Sequence, residues 1–153
     1  MERLILRAAR EDDLPDLYKL FFRSWIAHWG PHVSVTSRQT FLLGRPGDSY
    51  ARQYWTKFTV AERDGALVGV YHLEDGFLHA IHVAVNHLGT GVGRLMMSDA
   101  ERRGARRLEV REFNDRARQF YLRRGWVELY NEPGSEMGSP CITITMGLDR
   151  PSE

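Results

Sequence analysis

The stretch "HLGTGVGRLM", residues 87–96, holds the densest run of glycine in the chain. Gly89, Gly91 and Gly93 stand two apart and lead straight into residues that suit a helix. Glycine starts a helix poorly, because its backbone loses the most freedom on ordering. A nucleotide-triphosphatase loop would end in Gly-Lys-Ser/Thr, but Gly93 is followed by Arg94 and Leu95. A dinucleotide fingerprint would space its glycines G-x-G-x-x-G after the first strand of a parallel unit, and here the spacing is G-x-G-x-G. What survives is the device both share: bare N–H groups opening onto a helix N-terminus attract an anion. A flexible turn with close helix packing is the structural alternative. Just upstream stand His79 and His82, side chains that titrate near neutral pH. One is odd and one even, so strand alternation puts them on opposite faces unless a bulge intervenes, which argues against a shared metal ion. The single cysteine, Cys141, shows no activating neighbour in sequence and reads as structural.

The elements that must hold these residues are legible from periodicity. With 153 residues and 42% apolar content, the chain supports one domain with a real core, expected over 1–149 with a short tail at 150–153. A net charge of +1 gives no reason to expect a nucleic-acid partner. No segment is apolar enough to cross a bilayer, the start has no signal-peptide core, and one cysteine suits a reducing compartment. A cytoplasmic location is therefore expected. "RLILRAA" reads as a strand, followed by a helix with Leu14, Leu17, Tyr18, Phe21, Phe22 and Trp25 at helical spacing. A second helical region, interrupted by "GRPGD", reaches about Trp55. Three strand-like runs follow, separated by Asp64-Gly65 and Asp75-Gly76, strong hairpin signals that predict an antiparallel meander. After the glycines come a helix ended by Gly104, the strand "RRLEVREF" and a helix capped by Asn114 or Asp115 and stopped by Gly125. "GWVELY" and "CITITMGL" are two closing strands, with a polar loop expected from Asn131 to Pro140 between them. A mixed α/β sheet with helices on both faces follows.

Downstream, "NDRARQFYLRRGW" matches N-x-x-A-x-x-F-Y-x-x-x-G-F/W through Asn114, Ala117, Phe120, Tyr121, Gly125 and Trp126. Together with Leu88-Gly89-Thr90-Gly91-Val92-Gly93, this resembles the central motif of the GNAT family of N-acetyltransferases, whose loop reads Q/R-x-x-G-x-G/A. The resemblance is strong from about Leu78 to Trp126. It implies a mostly antiparallel seven-stranded sheet splayed between its fourth and fifth strands, with the pantetheine arm of acetyl-CoA in the gap. Backbone around Val83 and Val85 would pair with that arm, and N–H groups from Leu88 to Arg94 would hold the pyrophosphate. The family often has Gln or Arg where this chain has Leu88, a departure that predicts weaker rather than lost binding. Asn114 would contact the pantetheine, with a plain N-cap as the structural alternative, and Phe120 belongs to the same cofactor-binding motif. Arg94 is a further charge near the phosphates, or simply a solvated helix residue.

The chemistry implied is acetyl transfer to a primary amine, which needs a base, an oxyanion partner and a proton for the leaving thiolate. Tyr121 lies at the family's usual position for that proton, though a core tyrosine would occupy the same helix face. The N–H of Val83 is the expected partner of the thioester carbonyl. "LHAIHV" is similar to the matching strand of serotonin N-acetyltransferase, where histidine takes part in proton removal. This singles out His79 as the base, with Glu74 and Glu109 in reserve and His82 as a buried histidine. No metal is implied. Ten of the 17 aromatic residues lie between Tyr18 and Phe58, where this family usually walls its acceptor site. Trp25, Trp29, Tyr54 and Trp55 are the candidates there, with His28 and His32 beside the same bend. No motif specifies the acceptor, a small-molecule or peptide amine, and a homodimer is left open. An acyl-CoA-binding sensor without catalysis is the rival function; Tyr121 and His79 argue against it.

Overall fold

Two Asp-Gly pairs organise the middle of the molecule. In the computed structural model, which describes residues 3–149, Asp64, Gly65, Asp75 and Gly76 all adopt positive φ, between 52° and 85°. That is the backbone a tight two-residue hairpin turn demands. The tail expected at 150–153 lies outside the described residues. The strands are β1 (Leu4–Ala8), β2 (Phe58–Arg63), β3 (Ala66–Glu74), β4 (Phe77–Val83), β5 (Arg107–Arg111), β6 (Val127–Glu136) and β7 (Ser139–Gly147). The α-helices are α1 (Leu14–His28), α2 (Val35–Gly44), α3 (Pro46–Tyr54), α4 (Val92–Arg102) and α5 (Asp115–Arg123). One sheet results, ordered β1-β2-β3-β4-β5-β7-β6, antiparallel except for the β4–β5 pair. No helix among the described residues is long and apolar enough to cross a membrane.

Each face of the sheet is covered by helices whose apolar stripe matches it. Val92, Met96, Met97 and Ala100 of α4 and Tyr121 of α5 are buried against Tyr71, Leu78, Leu108 and Met146. On the other face, Leu17, Leu20 and Phe21 of α1 and Ala51 of α3 pack on Phe58, Val60 and Val70. A third, smaller cluster joins Trp25, Val33 and Phe41, with Trp25 stacked on Phe41 at 3.9 Å between ring centroids.

Two sequence expectations fail here. The polar loop between the last strands is instead a continuation of both, closed by a two-residue turn at Met137 and Gly138 with φ of 50° and 90°. Pro133 and Gly134 pair with Ile142 and Cys141 inside that hairpin. They are tolerated because β6 is an edge strand, where an absent N–H leaves no ladder broken. The second failure concerns the histidines. Leu78 pairs with Leu73 but Ala80 pairs with His72, so His79 is the extra residue of a bulge in β4. The bulge turns His79 onto the face that carries His82. The His79 ring stacks on that of His72 at 4.6 Å, and the His82 ring meets Phe21 of α1 edge-on at 5.0 Å.

Candidate active site

β4 and β5 run side by side but pair only at Phe77–Arg107 and Leu78–Leu108, then diverge. A cleft of about 730 Å³ opens beyond that point, bordered by α1, both strands, the glycine loop and α5. The N–H of Ala84 donates to Val68 O of β3 at 2.8 Å. Backbone groups alternate sides along a strand, so those of Ile81 and Val83 turn towards the gap. Ile81 joins Val83 as an open edge, a role the sequence did not single out. Val85 begins a one-turn 3-10 helix past the end of β4 and borders a second cleft beside α1.

The glycine loop presents its backbone to the open end of this gap. Gly89 and Gly91 have φ of 75° and 95°, and Gly91 caps α4. Leu95 N–H donates to Gly91 O at 3.0 Å, while helix geometry leaves the N–H groups ahead of it without an intrahelical acceptor. A Cβ built on Gly93 would stand 3.6 Å from Val83 Cγ2 and 3.7 Å from Phe120 Cζ, within the cleft. One built on Gly91 would meet nothing within 4 Å. The bare backbone therefore forms a cradle that fits a diphosphate. Thr90 serves the loop from behind: its hydroxyl donates to His87 O and accepts from Arg63 at 2.8 Å. Val92 is fully buried and anchors the helix. Leu88, Arg94 and two unanticipated guanidinium groups, Arg116 and Arg123, border the same cleft.

Across the gap, α5 supplies the other wall. Asn114 is its N-cap, with Oδ1 accepting the Ala117 N–H at 3.4 Å, and it also borders the cleft. Phe120 and Tyr121 line the wall. The Tyr121 hydroxyl has no hydrogen-bond partner among the described residues, and burial holds its pKa well above the ordinary phenol value. It is a protonated donor facing a cleft, with nothing yet to donate to.

The sequence model of the acetyltransferase (GNAT) family matches residues 14–126. The chain belongs to the GNAT acetyltransferase family. Its fold is similar to that of apo YjaB from Escherichia coli, at 20% identity and a TM-score of 0.77, over 95% of this chain and 97% of the other. It is also similar to the PaiA N-acetyltransferase from Thermoplasma acidophilum, solved in complex with coenzyme A, at 17% identity, a TM-score of 0.69 and coverage of 93% and 98%. A third is the ribosomal-protein-alanine N-acetyltransferase of Brucella melitensis, at 23% identity, a TM-score of 0.64 and coverage of 93% and 97%. No curated protein matches the sequence.

In this acetyltransferase the half of the cleft on the α1 face gathers Ser24, His28, Trp29, His79, His82 and Glu109. His79 is exposed to the cleft, and burial followed by the neighbouring His72 lowers its pKa. His82 Nδ1 shares a 2.7 Å hydrogen bond with Ser24 Oγ, and burial followed by His28 pushes its pKa down to about 4. Of the two reserve carboxylates, Glu74 is bound to His72 Nε2 at 2.8 Å, whose Nδ1 in turn meets the Tyr50 hydroxyl. Glu109 lines the cleft with no hydrogen-bond or ion-pair partner among the described residues. Of the four aromatic candidates only Trp29 borders it; Trp25 is spent on Phe41, and Tyr54 packs on His72. His32 stacks on Phe113 at 4.7 Å. Sequence reasoning missed Ser24, Arg111 and Glu136, which reach the site only through long-range contacts. Arg111 Nε donates to Glu136 Oε1 at 3.0 Å, and Trp25 Nε1 donates to its Oε2 at 2.8 Å. Among the described residues no group of three His, Cys, Asp or Glu side chains is placed to hold a metal ion.

Proposed function

We propose that this protein transfers the acetyl group of acetyl-CoA directly to a primary amine. One observation carries the reading: the unpaired edge of β4 and the bare N-terminus of α4 face a single cleft, with an unpartnered, protonated tyrosine in its wall. Bound acetyl-CoA supplies an activated thioester and an anionic handle. Ile81 and Val83 offer the strand edge that orients its arm, and the N–H of Val83 is the donor for the thioester carbonyl oxygen. Backbone N–H groups from Leu88 to Arg94 hold the pyrophosphate, as a helix N-terminus does. His79, neutral at pH 7 because its pKa is lowered, takes the proton that the amine sheds as its nitrogen bonds to the acetyl carbon. Tyr121 gives its hydroxyl proton to the departing thiolate. The depressed pKa of His82 makes it a weak base, and its bond to Ser24 suits a wall residue.

Free-thiol release from acetyl-CoA across a panel of amines, read together with melting temperature, tests this. Release that depends on an amine, with an acetylated amine as product, is the expected result. No release and no rise in melting temperature with millimolar CoA would overturn it. Intact mass after acetyl-CoA alone should be unchanged; an acetylated protein on the reaction path would exclude direct transfer.

A further inference from the structure

Resting on that reading, the charges in the acceptor half of the cleft narrow the substrate. We infer that the acceptor is a small primary amine with an apolar body and no carboxylate on the carbon that bears the nitrogen, and that Glu109 is the residue that imposes this. Glu109 follows Leu108, the last residue of β5 paired to β4, so it stands where the strands part, level with His79 on the neighbouring strand. Glu109 lines the cleft, its charge acts on His79, and its carboxylate has no hydrogen-bond or ion-pair partner among the described residues, so it can receive an ammonium group beside that histidine. A substrate carboxylate brought to the same place would meet a like charge.

Among the described residues the positive charges near that side are few, and most are already engaged. Arg111 is matched by Glu136 and spends its other nitrogens on Thr143 Oγ1 and Ser135 O. His28, His79 and His82 are all held below the ordinary histidine pKa, chiefly by burial, so each favours its neutral form at pH 7. Arg116 lies between the halves: its guanidinium reaches towards the Gly89 end, and its charge also acts on His28, so it is the cation to watch in the test below. Trp29 and Phe77 border the space left for the substrate body. The hairpin of β6 and β7 closes one side. Glu136 binds Trp25, Ser139 Oγ contacts Ser37 Oγ at 2.6 Å and accepts the Ser34 N–H at 3.0 Å, and Met137 packs on the Trp25 cluster. These ties favour a compact acceptor over a chain laid across the cleft.

Two matched sets test the inference: pentylamine, norleucine and norleucinamide; and benzylamine, phenylglycine and phenylglycinamide. Acetyl-CoA is the donor, with thiol release as the readout. In at least one set the simple amine should exceed the amino acid by at least tenfold in kcat/KM, and the amide should rank with the amine. Glu109→Gln should cut that preference to within threefold while the CoA-induced rise in melting temperature stays the same. Amino acids used as well as the amines would overturn the inference and point to Arg116 as a carboxylate anchor. A preference that survives Glu109→Gln would overturn the role of Glu109. CoA binding without turnover of either amine would overturn the substrate class alone. Absence of CoA binding would instead defeat the acetyl-CoA reading beneath it.

Discussion

Gly93→Ala separates the two reasons a glycine can stand at the start of α4. Gly93 has ordinary helical φ, and a methyl there would meet Val83 and Phe120 at 3.6 and 3.7 Å, normal contact distances. The unliganded fold should therefore accept it, and helix propensity favours alanine by up to about 1 kcal/mol. That corresponds to a melting temperature unchanged or raised by about 2–4 °C for a chain of this size. The methyl nevertheless projects into the cleft where the pyrophosphate must approach. Losing one well-formed hydrogen bond to a charged oxygen removes about 1.5 kcal/mol, roughly tenfold in affinity. At a CoA concentration one hundred times the wild-type dissociation constant, wild type gains about 2.7 kcal/mol and the variant about 1.4 kcal/mol. In a thermal scan these become rises of about 5–11 °C and about 3–6 °C. Gly91→Ala is the control. Its φ of 95° places alanine in the left-handed region, so the unliganded protein should lose about 1–2 kcal/mol. Calorimetric titration with CoA closes the test. A dissociation constant unchanged in Gly93→Ala would show that the glycine serves the backbone alone and that the cradle lies elsewhere.

Tyr121→Phe removes a hydroxyl with no hydrogen-bond partner among the described residues, so stability and CoA affinity should hold while turnover falls about a hundredfold; steady-state thiol release and the CoA thermal shift measure both. The rate at limiting acceptor should rise with pH through a limb somewhat below 6.5, as His79 loses its proton, and His79→Ala should abolish that limb. A limb near pH 4 that persists in His79→Ala would transfer the role to His82, whose pKa lies there. Acid stability reports on His82 independently. Because its folded pKa is depressed, the unfolded chain binds more protons between about pH 6.5 and 4, so stability is lost as pH falls through that window. The loss reaches up to about 3 kcal/mol, discounted for the part of the ring open to the cleft, and denaturant melts of His82→Gln against wild type should show a shallower slope.

Much of the fold was legible because it rests on local rules. Asp64-Gly65 and Asp75-Gly76 specify positive φ by themselves, so the β2–β3–β4 meander could be read directly, as could the glycine-led start of α4 and the Asn114 cap of α5. Gly89, Gly91 and Gly93 on one short motif, and Asn114 and Tyr121 on a second, all border the cleft. The β6–β7 hairpin was misread because Pro133 and Gly134 oppose strand locally, and only their position at the sheet edge makes them harmless.

The half of the cleft on the α1 face was hidden for a different reason. Its decisive features are pairings between residues distant in sequence: Ser24 with His82, Tyr50 with His72, Trp25 and Arg111 with Glu136. The one-residue bulge at His79 depends on how β4 is registered against β3, and strand periodicity within β4 carries no trace of it. So the sequence alone determined which backbone is left bare at a helix start, since that property belongs to a glycine run and its helix. Which side chains meet across the cleft, and which carboxylate is left without a partner, was decided by the tertiary structure. Cross-strand register and long-range hydrogen bonding are properties of the packed sheet, absent from any single segment.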